Sequence, residues 1–187
     1  KAQAEWEERR GAKAERMDAL EYLNYYGKLT SQNPRTKYRV LYPTSATYLC
    51  ACVVENKAIE FDIGGQEVRA TGFLVDYVTY YIETSEEDEA YYLAASLNAP
   101  FVDQIIKPMQ ARGLWGPRLI CKKVLELPIP RFDPSEAAHC ELAALGRACA
   151  QRVRDWIESG GPGHVRSIGK LRSMVRDLLA EELQEID

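Results

Sequence analysis

Between Lys37 and Thr84 the chain carries four runs rich in β-branched and aromatic residues: Tyr38-Arg-Val-Leu-Tyr42, Thr47-Tyr-Leu-Cys-Ala-Cys-Val-Val54, Ala58 to Ile63 and Gly72 to Ile82. Such side chains pack well on a pleated surface, so the runs read as strands. The connections between them are too short for helical crossovers, which leaves antiparallel pairing. Gly64-Gly65 between two of the runs is a hairpin turn by its residue types. On either side of this region the pattern is helical. The predicted fold class is therefore α+β: a small antiparallel sheet packed with helices, an N-terminal connector helix and C-terminal amphipathic helices. The expected divisions are 1–30, 31–134 and 135–187.

At 187 residues, with 46% hydrophobic and 28% charged residues, the chain is long enough for a domain with a real core and is not expected to be disordered. No apolar run approaches the roughly 20 residues that cross a bilayer, and the N-terminus is charged rather than signal-like. A cytoplasmic protein with no membrane partner is expected. A start at Lys1 without methionine predicts a piece of something longer. Cys50, Cys52, Cys121, Cys140 and Cys149 lack metal-ligand spacing and have only His139 and His164 to help, so reduced thiols are expected and no metal site.

Ala2 to about Tyr26 reads as one densely charged helix whose apolar residues, Trp6, Met17, Leu20 and Leu23, cluster late. Gly27 and Asn33-Pro34 stop it. Ser85 with Asp88 resembles a capping box, and Glu86 to Glu89 sit where the helix dipole favours acids, so that acidic run needs no metal to explain it. Asp133, Pro134 and Glu136 repeat the device at the head of a helix running through Leu142, Leu145, Val153 and Trp156 to Gly160-Gly161-Pro162-Gly163. A last helix, Val165 to Ile186, carries Ile168, Leu171, Val175, Leu178 and Leu179 on one face, for a partner helix in this chain or another. Its first half is basic (Arg166, Lys170, Arg172, Arg176) and its end acidic, against the macrodipole at about 0.3 to 1 kcal/mol per terminal charge. Either those cations are solvated and screened, or Arg166, Lys170 and Arg172 meet phosphates or an acidic partner surface.

The stretch from Tyr91 to Pro134 is organised differently. A helix broken at Asn98-Ala99-Pro100 leads into a loop with Gly113, Trp115, Gly116, Pro117 and Arg118, and the segment leaves through Leu127-Pro-Ile-Pro130. From Lys107 to Arg131 there are six cations (Lys107, Arg112, Arg118, Lys122, Lys123, Arg131) against one acid, Glu126, in a chain of net charge −4. Positive charge concentrated against an acidic background points to a polyanion site. No nucleophile and base are paired in the sequence: His139 falls on a helix surface and His164 in a Gly-rich linker. That shifts weight from catalysis to binding.

The pieces Glu89-Ala-Tyr-Tyr-Leu-Ala-Ala-Ser-Leu-Asn98-Ala-Pro100, Gln110-Ala-Arg-Gly113-Leu-Trp-Gly116-Pro-Arg118, Lys122-Lys123 and Leu127-Pro-Ile-Pro130 resemble the C-terminal specificity region of adenine-specific DNA methyltransferases of restriction-modification systems. Their order is also similar to target recognition domains of type I restriction specificity subunits. Gly27-Lys-Leu29 with Gln32, Tyr38 to Tyr42, and Gly72-Phe-Leu-Val-Asp76 with Tyr80-Tyr81 extend the likeness over about residues 20 to 150. The resemblance implies a DNA-reading part whose parent transfers a methyl group from S-adenosylmethionine to a flipped adenine. Neither the Gly-rich cofactor motif nor an Asn-Pro-Pro-Tyr motif is present, and Asn33-Pro34-Arg35-Thr36 lacks the second proline and the aromatic. No catalytic or cofactor-binding residue is therefore assigned here. The expected partners are double-stranded DNA and an upstream catalytic domain.

On that reading Lys122, Lys123 and Arg112 contact phosphates, with Lys107 and Arg131 in the same basic footprint. Arg118 offers a bidentate contact to a guanine edge, worth about 1 to 3 kcal/mol of discrimination, and Trp115 stacks or wedges at the target step. The competing assignments are that Trp115 anchors the loop onto the core and Arg118 pairs with an acid such as Asp103. Two other classes stay open: a protein-interaction module in which the basic loop is incidental, and a magnesium nuclease using Asp62, Asp76 and Glu83.

Overall fold

The computed structural model describes every residue except Lys1, Thr47, Tyr77, Ala111, Leu114, Trp115 and Arg118, and describes no side chain for Ala2, Lys13, Arg112, Gly113, Gly116, Pro117 and Cys121. In chain order its regular elements are α1 (Ala2–Arg9), α2 (Ala19–Leu23), β1 (Tyr38–Pro43), β2 (Cys52–Glu55), β3 (Ile59–Ile63), β4 (Gln66–Ala70) and β5 (Thr79–Thr84). There follow α3 (Glu87–Asn98), α4 (Pro100–Met109), β6 (Arg112–Gly113), β7 (Gly116–Pro117), α5 (Ala137–Glu158), α6 (Ile168–Leu178) and α7 (Ala180–Ile186). The fold is α+β with antiparallel strands. The described residues form two compact units, Lys1–Arg35 with Ala58–Tyr77, and Thr36–Lys57 with Val78–Asp187. These limits differ from 1–30, 31–134 and 135–187, because α5 lies directly on α3 and belongs to the same body as the sheet.

In the first unit the expected single helix over residues 2–26 is broken into α1, α2 and two short 3-10 turns. The reason is local. Asp18 forms a capping box with Glu21, each side chain accepting from the other's backbone N–H at 2.7 and 2.9 Å, and a cap starts a new helix rather than continuing an old one. Trp6 closes the corner by packing at a tilt against the Tyr22 ring, centroids 4.3 Å apart, and donating its indole N–H to the Met17 carbonyl at 3.0 Å. Gln32 is buried and clamps the segment after β4: its amide nitrogen donates to the Val75 carbonyl at 2.7 Å, and its oxygen accepts from the Val75 N–H at 2.8 Å. The hairpin expected at Gly64-Gly65 joins β3 to β4, with both glycines at positive φ, 64° and 85°, and the Asp62 carboxylate accepting from the Gly65 N–H.

The second unit is built on a three-stranded sheet in the order β2-β1-β5. Tyr38, Val40 and Tyr42 alternate along β1 into the core, and α3 covers them with Ala90, Ala94 and Leu97. The residue between, Arg39, is fully buried and faces Glu83 of β5 across the ladder, with Nη2 3.2 Å from its carboxylate. Only the last part of the expected run from Gly72 to Ile82 is a strand, because Val75 is tied to Gln32 instead of to a neighbouring strand. The run from Thr47 likewise pairs only from Cys52, and Thr47 itself lies outside the described residues. Ala51 is held by a side chain instead: Asn98 donates to its carbonyl and accepts from its N–H, both at 2.8 Å.

The helix starts also differ from expectation. Ser85 does not cap α3. No described side chain caps α3, whose N-cap residue is Glu86; Thr84 accepts from the Glu86 N–H at 3.1 Å while donating to Glu89. Asp133 turns back on the Ser135 N–H and hydroxyl, and α5 starts only at Ala137. The end of α5 is as expected, with Gly160 at φ 80° and the Gly161 N–H donating to the Trp156 carbonyl at 2.9 Å. The final segment is two helices, α6 capped by Ser167 and α7 beginning after Leu179, whose ψ of 17° falls outside the helical range.

Candidate nucleic-acid interface

The basic segment rises from a well-anchored base. The amphipathic pattern of α4 turns Val102 and Ile106 into the core, and Ile106 is fully buried. Ten residues after α4 ends, Leu119 bridges Ser45, and the Ile120 N–H donates to the Thr44 carbonyl at 3.0 Å beyond the end of β1. Ile120 is again fully buried, and Val124 of the following 3-10 turn, Cys121–Glu126, is nearly so. Between the two anchors β6 and β7 pair antiparallel, Arg112 opposite Pro117 and Gly113 opposite Gly116. A short ribbon is thus held at both ends by core isoleucines.

The exit is fixed just as firmly. Leu127 and Ile129 pack against the core, and the Tyr92 hydroxyl donates to the Pro130 carbonyl at 3.0 Å. Burial pushes the Tyr92 hydroxyl above its usual range, so it stays protonated as a donor. Phe132 and His139 close on the same ring at 5.5 and 4.8 Å. His139 is thereby a packing residue of this exit, half-buried, with Nδ1 accepting from the Asp133 N–H at 3.0 Å.

The cations divide into three groups. Lys107 pairs with Asp103 at 2.8 Å, and Asp103, almost buried, also accepts from the Leu49 N–H at 3.0 Å. Lys123 pairs with Glu126 at 2.8 Å on an open surface. Lys122 and Arg131 are exposed and have no carboxylate partner among the described residues. Trp115 and Arg118 lie outside the described residues, as does the side chain of Arg112. The Asp103 carboxylate, the alternative partner for Arg118, is engaged by Lys107 and the Leu49 N–H.

The three carboxylates of the nuclease reading each have a structural partner. Asp62 caps the β3–β4 turn, Asp76 pairs with Lys28 at 2.8 Å, and Glu83 pairs with Arg39. Among the described residues no three Asp, Glu, His or Cys side chains converge as metal ligands. Cys50, Cys52, Cys140 and Cys149 are free thiols. No helix among the described residues is long and apolar enough to cross a membrane.

A cavity of about 580 Å³ opens between the stretch leading into β2 and helices α3, α4, α5, α6 and α7, with Tyr48, Arg172 and Arg176 among its lining. The cationic half of α6 was visible in the sequence; Tyr48 was not, because nothing local distinguishes it from the other strand-region tyrosines. No protein-family model, no curated protein and no solved structure matches the chain.

Proposed function

We propose that the chain is a sequence-specific DNA recognition domain, the reading part of an adenine-specific restriction-modification methyltransferase. The observation that carries this is the β6–β7 ribbon, braced between the buried Ile106 and Ile120 and flanked by the exposed Lys122 and Arg131, which have no carboxylate partner among the described residues. Rigid bracing matters because a base contact is productive only if the backbone beneath it holds its register. Lys122 and Arg131 meet phosphates directly. Lys123 joins them by leaving Glu126, a surface pair worth only about 0 to 1 kcal/mol. Lys107 stays on Asp103, where it steadies α4. Arg112 and Arg118 supply the remaining contacts, Arg118 to a guanine edge, with Trp115 at the target step. Methyl transfer and S-adenosylmethionine binding belong to a separate catalytic domain, since neither motif for them occurs in this chain.

Selection of bound duplexes from a randomised pool tests the reading. A fixed short motif should emerge, Arg118→Ala should relax the preference at one position, and Lys122→Ala should weaken all sequences alike. A pool that emerges unenriched contradicts it. A second reading, a subunit-assembly module, is favoured by one observation: Ile59, Phe61 and Ile63 of β3 are exposed by 47%, 42% and 60% along one face of the hairpin.

A further inference from the structure

Away from the ribbon, the helices of the second unit leave room that their side chains do not fill. Ala94 and Ala95 of α3, Ala150 and Val153 of α5, and Leu171 and Val175 of α6 line the 580 Å³ cavity, and none of the described residues between 107 and 131 does. That volume lies within the roughly 300 to 1,000 Å³ of small-molecule sites, whose usual make-up is an apolar wall with a few convergent polar groups. The polar groups here have an uneven balance. Asp103 is satisfied by Lys107 and the Leu49 N–H, and the exposed Arg154 donates to Gln151. The remaining acid in the lining, Glu158, is exposed. Arg172 and Arg176, both half-buried, have no carboxylate partner among the described residues. Arg176 sits over the Tyr48 ring at 4.7 Å, and the Tyr48 hydroxyl is buried without a hydrogen-bond partner among the described residues.

An orphaned buried hydroxyl beside two uncompensated guanidiniums is costly unless something arrives to accept their hydrogen bonds. Burial pushes the Tyr48 hydroxyl upward while Arg176 and Arg172 pull it down, so both cations act on that oxygen and it remains a donor at neutral pH. The complement of such a place is an anion, and the complement of the rest is hydrocarbon.

We propose that this cavity binds a small amphiphile, its apolar body among α3, α5 and α6 and its single carboxylate held by Arg172, Arg176 and the Tyr48 hydroxyl. At about 30 Å³ for each water-sized group, the space accepts roughly fifteen to twenty non-hydrogen atoms, enough for the about fourteen of a twelve-carbon fatty acid. Phosphate of a nucleic acid does not fit the apolar lining. Such a ligand would couple α6 to α5 and stabilise the folded chain.

Calorimetric titration of the full chain with dodecanoate, and in parallel with the uncharged dodecan-1-ol, decides the matter. One equivalent of dodecanoate should bind. Arg172→Gln with Arg176→Gln should weaken it at least tenfold while leaving the alcohol within about twofold, and Tyr48→Phe should weaken it by a smaller factor. Ala150→Trp, which fills the space, should abolish both while the circular dichroism of the chain is retained; Val153→Phe serves if that variant does not fold. Failure of the wild-type chain to bind dodecanoate at millimolar concentration would overturn the proposal and leave the hollow to a protein segment. Equal loss of acid and alcohol in the double arginine variant would overturn the carboxylate site, and full binding by the filled variant would overturn the cavity.

Discussion

Gly146 of α5 lies so close to Tyr91 of α3 that a Cβ built on it would sit 2.5 Å from the Tyr91 carbonyl oxygen and 3.2 Å from the Ala95 methyl. This contact sets the crossing of the two helices. Arg147, the next residue, pairs with Asp88 at the head of α3 and lies over the Tyr91 ring at 5.0 Å. The long C-terminal helix is thereby part of the sheet's own body.

Gly146→Ala therefore reverses the usual gain from replacing a helical glycine. Overpacking against a carbonyl costs about 1 to 3 kcal/mol, which outweighs the roughly 1 kcal/mol of added helix propensity. Gly169→Ala on α6, whose Cβ would meet only Ser167 Oγ at 3.9 Å, should leave stability equal or higher. Urea unfolding of the two variants beside the wild type checks the pair.

Arg39 and Glu83 form the second test. A buried guanidinium stripped of its carboxylate is destabilising, though Glu83 is itself 27% exposed, so Glu83→Ala should cost about 2 kcal/mol, less than a wholly buried pair. Glu83→Asp should recover part of that. Thermal unfolding of both variants shows whether the charge or the packing is responsible.

Much of the fold was legible because its signals are local. The alternation of Tyr38, Val40 and Tyr42 needs only period two, Gly64-Gly65 carries its own turn chemistry, and Gly160 ends α5 by a conformation other residues avoid. What was missed depends on partners distant in sequence. Val75 leaves the sheet because Gln32 takes its backbone, and Ala51 is tied by Asn98. The basic segment was legible as charge, yet the pairing of Lys107 with Asp103 depends on the helical spacing of α4 and on Leu49, and the cavity depends on six separate elements meeting.

The turn before α5 makes a pH prediction. Hydrogen bonds from the Ser135 hydroxyl, first, and from its N–H hold the Asp133 carboxyl below its ordinary value. A depressed carboxyl contributes stability that is present above the ordinary value and is lost as pH falls through the depressed one. A carbon-detected NMR titration should find Asp133 titrating low, and Ser135→Ala should move it upward. An unchanged midpoint in that variant would remove Ser135 as the cause.

The most direct test of the DNA-reading role is the salt dependence of duplex affinity. If Arg112, Lys122, Lys123 and Arg131 neutralise phosphates, log K should fall against log salt with a slope of about −3 to −4, and Lys122→Ala with Lys123→Ala should flatten it by about 2. Affinity indifferent to salt, or a slope untouched by the double substitution, would contradict the account.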